Sequence, residues 1–144
     1  MNERAGPIGD ILPHQAPGND GARLLLHGIR RMGVGGLNDA HVANAMIGVF
    51  GLSFRRPLVL MRAMMAELSR ASTQSIIIAP SCCVRMTGSE ALLVSAVAGA
   101  NESPAATHNL LCSICGVASC LGLLSSAQAV SQAFADLGHP IEIV

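Results

Sequence analysis

Between Glu102 and Asp136 the chain carries no Asp, Glu, Lys or Arg. A stretch of that length without formal charge must either lie in a bilayer or fold into helices that the rest of the protein covers. Its most apolar part, LLCSICGVASCLGLL from Leu110 to Leu124, falls short of the roughly 20 apolar residues that a spanning helix needs. His108 and Asn109 flank it on one side and Ser125, Ser126 and Gln128 on the other. Gly116 and Gly122 offer places to break it. The sequence therefore predicts a buried helix pair here, with membrane association as the weaker alternative.

The same economy of charge runs through the whole chain. Charged residues make up 12% of the 144 residues, against about 25% in an average soluble domain. A buried oligomer interface, a protein partner or a surface built from Ser, Asn, Gln, Thr and Gly each accounts for the deficit. The formal net charge is zero, Trp and Tyr are absent, and all nine basic residues are arginine. Nucleic-acid binding thus lacks both a positive field and a set of stacking rings. The length predicts one domain, able to bury roughly 68–70% of its unfolded surface without disulfide or metal support. Five cysteines cannot all pair within one chain. The opening MNERAGPIGDILPH lacks the basic-then-apolar pattern of a signal peptide. Free thiols in a reducing cytoplasm are the expectation.

Apolar spacing predicts an all-α fold, a compact bundle of five to six short helices with an irregular N-terminal arm over residues 1–21 and a single helical domain over 22–144. Pro7, Pro13 and Pro17 break up the arm, which is expected to drape on the domain through Ile8, Ile11 and Leu12. Leu25, Ile29 and Met32 mark one face of a first helix, Ala22 to Met32, with Arg23, His27 and Arg30 on the other. The GVGG run from Gly33 ends it. Asn38 or Asp39 caps a second helix to Phe50, with Val42, Met46, Val49 and Phe50 inward. Pro57 suits the first position of a third helix to Arg70. Residues 72–86 read as connection. Thr87 and Glu90 form a capping box for a fourth helix. Ser103 and Pro104 start a fifth, and Ser125 with Gln128 repeats the capping box for a last one, with Val130, Phe134 and Leu137 inward.

Three features bear on chemistry. Arg55 and Arg56 precede Pro57, and Arg85 precedes Thr87. Cations at the positive end of a helix are locally unfavourable unless an anion sits there too. Arg55, Arg56, Arg85 and Thr87 are therefore candidates for binding an anion or an acidic partner. The competing reading is that these arginines extend into water or pair with Asp39, Glu67 or Glu102. Met61, Met64 and Met65 either form an adaptable apolar surface or fill the core. Cys82 and Cys83, with Cys112 and Cys115, are candidate metal or redox residues, and zinc or an iron–sulfur cluster is the cofactor such a set would take. The ordinary alternative is buried thiols acting as small apolar residues. His108, Cys112 and Cys115 share a helix face, but i to i+7 spans about 10 Å of axis, so at most two of them can share one ion.

Three blocks, RRMGVGGLNDAHVANAMIGVFGLSFRRPLVLMRAMMAELSRAS (Arg30 to Ser72), APSCCVRMTGSEALL (Ala79 to Leu93) and SAQAVSQAFADLG (Ser126 to Gly138), resemble a family of small alphaproteobacterial proteins known only as a domain of unknown function. The resemblance implies a bacterial cytoplasmic protein and brings no activity with it. It covers Cys82 and Cys83 but carries no expectation for Cys112 and Cys115.

No assembled catalytic set is visible, since acidic residues are scattered singly and GVGG lacks a phosphate-binding frame. The resulting expectation is a helical protein-interaction or regulatory protein. It acts as a homo-oligomer or with a protein partner, through a Met-rich surface bordered by Arg55 and Arg56. The alternative is a thiol- or metal-dependent module built on Cys82, Cys83, Cys112 and Cys115.

Overall fold

The computed structural model describes residues 14–143. The expected docking of the arm through Ile8, Ile11 and Leu12 lies outside them. Six α-helices are present among these residues: α1 (Asp20–Gly35), α2 (Ala40–Phe50), α3 (Arg55–Ala71), α4 (Gly88–Gly99), α5 (Pro104–Cys115) and α6 (Leu121–Asp136). A short antiparallel ladder joins β1 (His14–Gln15) to β2 (Arg85–Met86), with His14 opposite Met86. The all-α expectation holds.

Helix ends follow local chemistry. Asn19 caps α1 by accepting from the Ala22 N–H, so the helix starts earlier than Ala22. The Asn19 side-chain oxygen also accepts from the Glu142 N–H at 3.2 Å, which pins the C-terminal segment to the start of α1. Gly21 makes that approach possible, because a Cβ there would run into the carbonyls of His139 and Pro140. Gly36, at φ 92°, ends α1. Asp39 caps α2 through the His41 N–H and pairs with Arg31 at 3.0 Å.

Two predicted starts move. A 3-10 turn over Gly51–Ser53 runs into α3 at Arg55, so Pro57 is the third helical residue. Its missing N–H costs nothing there, since the first four donors of a helix have no internal partner. α6 begins at Leu121 with Cys120 as its N-cap, and Ser125 and Gln128 lie inside it without forming a box. The break at Gly116, in the left-handed conformation at φ 70°, separates α5 from α6. No helix among the described residues is long and apolar enough to cross a membrane.

α3 and α6 pack most extensively, followed by α4 and α5. Phe134 on α6 is fully buried, with its ring edge-on to Phe50 at 5.2 Å. Met61, Met64 and Met65 are buried in the same core. This overturns the expected Met-rich surface. Flexible thioethers suit such filling, and the Met61 methyl lies close to where a Cβ at Gly28 of α1 would stand. Val49, expected inward, is exposed, as are Ile47, Leu52 and Val59.

The largest departure from the amphipathic reading of α1 is Arg30. It is not on the solvent face. Its side chain is 4% exposed and that of Glu90 is 0% exposed. Arg30 Nε donates to Glu90 Oε2 at 2.8 Å and Nη2 to Glu90 Oε1 at 3.1 Å. Nη1 donates to the Cys83 carbonyl and Nη2 also to the Arg85 carbonyl, both at 2.8 Å. Glu90 also accepts from the N–H groups of Ala79 and Thr87, the latter completing the predicted capping box. A buried ion pair that loses one member leaves an uncompensated charge. Glu90→Ala should therefore lower stability by about 3–5 kcal/mol. Thr87→Ala, which removes the cap but keeps the pair, should cost about 1–2 kcal/mol. Equal losses in chemical denaturation would refute the greater weight given to the pair.

Asp39 makes an acid-side prediction. The Arg31 hydrogen bond and the His41 N–H hold its carboxyl below the usual value of 3.8, against the opposing effect of burial. Its contribution is present above that value and fades as pH falls through the lowered one. The stability difference between the wild type and Asp39→Asn should be constant near neutrality and shrink below pH 3.8. A difference that is flat down to the acid transition would contradict it.

Candidate metal centre

The site forms where α5 turns back into α6. His108 and Cys112 are four residues apart on α5, so their side chains stack on one face. The helix stops at Gly116, whose N–H bonds to the Cys112 carbonyl at 2.8 Å, as does that of Val117 at 3.1 Å. The loop after α3 secures this end from outside. Thr73 donates to the Cys115 carbonyl through both its N–H and its hydroxyl, each at 2.8 Å, and the Gln74 amide donates to the carbonyls of Ser113 and Ile114. These bonds occupy the free carbonyls that every helix leaves at its C-terminus. The turn that follows returns Cys120 to the His108–Cys112 face.

Cys112 Sγ lies 3.5 Å from Cys120 Sγ and 3.5 Å from His108 Nε2. The candidate ligand atoms of all three residues fall within 4.8 Å of one another. A tetrahedral zinc with thiolates at about 2.3 Å and imidazole at about 2.0–2.1 Å requires sulfur–sulfur spacing near ~3.8 Å and sulfur–nitrogen spacing near ~3.5 Å. The two spacings from Cys112, to Cys120 and to His108, match within a few tenths of an ångström, and the Cys120–His108 spacing lies within 4.8 Å. His108 and Cys112 are half-buried and Cys120 is buried. His108 Nε2 accepts from the Cys120 N–H at 3.1 Å, which fixes the ring.

Burial, followed by the adjoining Cys112 thiol, pushes Cys120 up to about 12. Burial also raises Cys115, with Cys112 adding to the effect and Ser72 opposing it. An apolar pocket that crowds thiols together disfavours the second thiolate, whereas a bound cation reverses that balance because the metal ligand is the thiolate.

The other predicted residues lie elsewhere. Cys82 is exposed and Cys83 half-buried in the loop over Arg30, and neither joins the His108 group. Cys115 is fully buried in the core. The limit of two ligands from the α5 face is respected, and the third comes from Cys120. Arg56 pairs with Asp136 at 2.9 Å, a partner not among the acids considered from sequence. The Arg55 guanidinium lies 6.0 Å from the Phe54 ring centroid. Arg85 is on β2 and gives its carbonyl to Arg30. The Thr87 hydroxyl accepts from the Glu90 N–H and donates to the Ile77 carbonyl. Arg55 and Arg56 thus stand at the start of α3, and Arg85 and Thr87 at the start of α4, two different helix N-termini as the sequence places them. A sequence signal for the His108 group did exist: a His-x3-Cys pair inside a helix, then a glycine stop, then a cysteine.

A family model matches residues 11–138. The chain belongs to DUF6628, a family of unknown function. No curated protein and no solved structure matches it. Membership in a family of unknown function agrees with that part of the block resemblance and assigns no activity.

Proposed function

We propose that this DUF6628 protein is a small helical module that holds a thiophilic metal ion, of which zinc is the type, through His108, Cys112 and Cys120. The observation that carries the reading is the convergence of one imidazole and two thiols within 4.8 Å, with Cys112 at tetrahedral-edge spacing from both other ligands. Thiolate and imidazole donors favour zinc or monovalent copper over hard cations such as magnesium or calcium. Three protein ligands leave a fourth position for water or an outside donor, which is the arrangement of exchangeable or reactive zinc sites and not of closed structural ones. On loading, the ion would replace the Cys120 N–H as the partner of His108 Nε2. Free thiols of this kind function in a reducing compartment, and we assign the protein to the cytoplasm on that ground.

A second reading, association with another copy or a protein partner, draws support from the α2–α3 hairpin. Leu52 there is 100% exposed, with Ile47, Val49 and Val59 also open to solvent. If that surface is an interface, Leu52→Glu should shift native mass spectra from oligomer to monomer while leaving the fold intact. A monomeric wild type would dispose of self-association.

For the metal reading, anaerobic titration of the full chain with cobalt(II) should give thiolate-to-metal charge-transfer absorption, displaced by one equivalent of zinc. Cys112→Ser or Cys120→Ser should weaken zinc binding by more than about 100-fold, the upper range for losing a mere supporting group. The double variant Cys82→Ser/Cys83→Ser should bind like wild type. Absence of charge-transfer absorption, or loss of binding in the double variant alone, would overturn the assignment.

A further inference from the structure

The same two sulfurs have a second chemistry open to them. Cys112 Sγ and Cys120 Sγ are 3.5 Å apart and unbonded. Cys112 is on the last turn of α5 and half-buried, so small oxidants can reach it. Cys120 is at the N-cap of α6 with non-helical backbone, φ −152° and ψ 57°. Its sulfur can close the remaining gap by movement of the Gly116–Cys120 turn, with neither helix unwound. Cys115 is fully buried and out of reach of the same reagent.

We infer that Cys112 and Cys120 form a reversible disulfide on exposure to a hydroperoxide, and that closing this bond expels the metal ion. The second half of the inference rests on the metal reading above. In the loaded centre both sulfurs are thiolates. The Cys112 thiolate attacks one peroxide oxygen, the O–O bond breaks, and the departing oxygen takes up a proton. This leaves a sulfenic acid on Cys112. The Cys120 thiolate then attacks that sulfur, the S–S bond forms, and hydroxide leaves and takes a second proton to become water. Two thiolates have supplied two electrons to the O–O bond. Neither sulfur of the product is a thiolate, so the ion keeps one imidazole and departs. A dithiol reductant returns two electrons by thiol–disulfide exchange and regenerates the site.

The test uses the zinc-loaded full chain, hydrogen peroxide and a zinc-sensitive dye, with tandem mass spectrometry to locate the bond. Trypsin leaves residues 86–144 as one peptide, because no Lys or Arg follows Arg85. A Cys112–Cys120 bond removes the backbone fragments between those two positions. A Cys112–Cys115 bond would restore the fragments beyond Cys115. The expected result is zinc release in step with the Cys112–Cys120 bond, one ion per bond. A dithiol should reverse it, and Cys82→Ser/Cys83→Ser should not alter it. Retained zinc, release with the bond elsewhere, or irreversible over-oxidation of Cys112 without a cross-link would overturn the inference. If zinc never binds, the metal reading fails on its own, and peroxide treatment of the metal-free chain still decides whether this bond forms.

Discussion

A guanidinium and a carboxylate shut away from water are each costly, by several kcal/mol per ion after relaxation. The Arg30–Glu90 pair survives that cost because its hydrogen-bonding needs are met from several directions. Glu90 receives Arg30, the start of its own helix at Thr87 and the N–H of Ala79. Arg30 returns bonds to the carbonyls of Cys83 and Arg85. The long connection between α3 and α4 has no helix of its own; these bonds hold its second half, from Ala79 on, while Thr73 and Gln74 hold its first half to the end of α5. The two-residue ladder between β1 and β2 then follows, since the Arg85 backbone is held in place. One ion pair thus couples α1, α4 and the connection.

How far the sequence reaches depends on whether a feature is local. Helix identity was legible because apolar residues recur at helical spacing, and the Thr87–Glu90 box was legible because it closes within one turn. The burial of Arg30 was not legible. Periodicity assigns a charged residue to the wet side, and its exception depends on a carboxylate sixty positions away. The α6 start was misplaced because Ser125 and Gln128 carry the right letters, while the apolar turn at Leu121–Leu124 has already begun the helix, with Leu123 buried. The methionines show the same divide. Their spacing revealed the helix, but which of two uses they served depended on what packed against α3.

The candidate metal centre is split along that line. Its α5 half, His108 and Cys112, follows from helix geometry alone. Its other half depends on a left-handed glycine and on how the turn after it lands, which no periodicity encodes. The loop after α3 strengthens that turn through Thr73 and Gln74, so the geometry of the thiols is supported by a segment far away in sequence. The vicinal pair Cys82 and Cys83 belongs instead to the strap over the buried ion pair, where the Cys83 backbone carbonyl and not its thiol makes the bond to Arg30.

The Asn19 side chain has a consequence for how the molecule is made. It serves α1 through the Ala22 N–H and the far end of the chain through the Glu142 N–H, across 123 positions. Synthesis runs from N- to C-terminus, so α1 emerges with its Asn19 cap in place but with Arg30 unmatched until Glu90 follows, and the Asn19 link to Glu142 forms later still. Contacts closed over so long a loop form slowly, because the entropy of closing the loop is lost before the contact is gained.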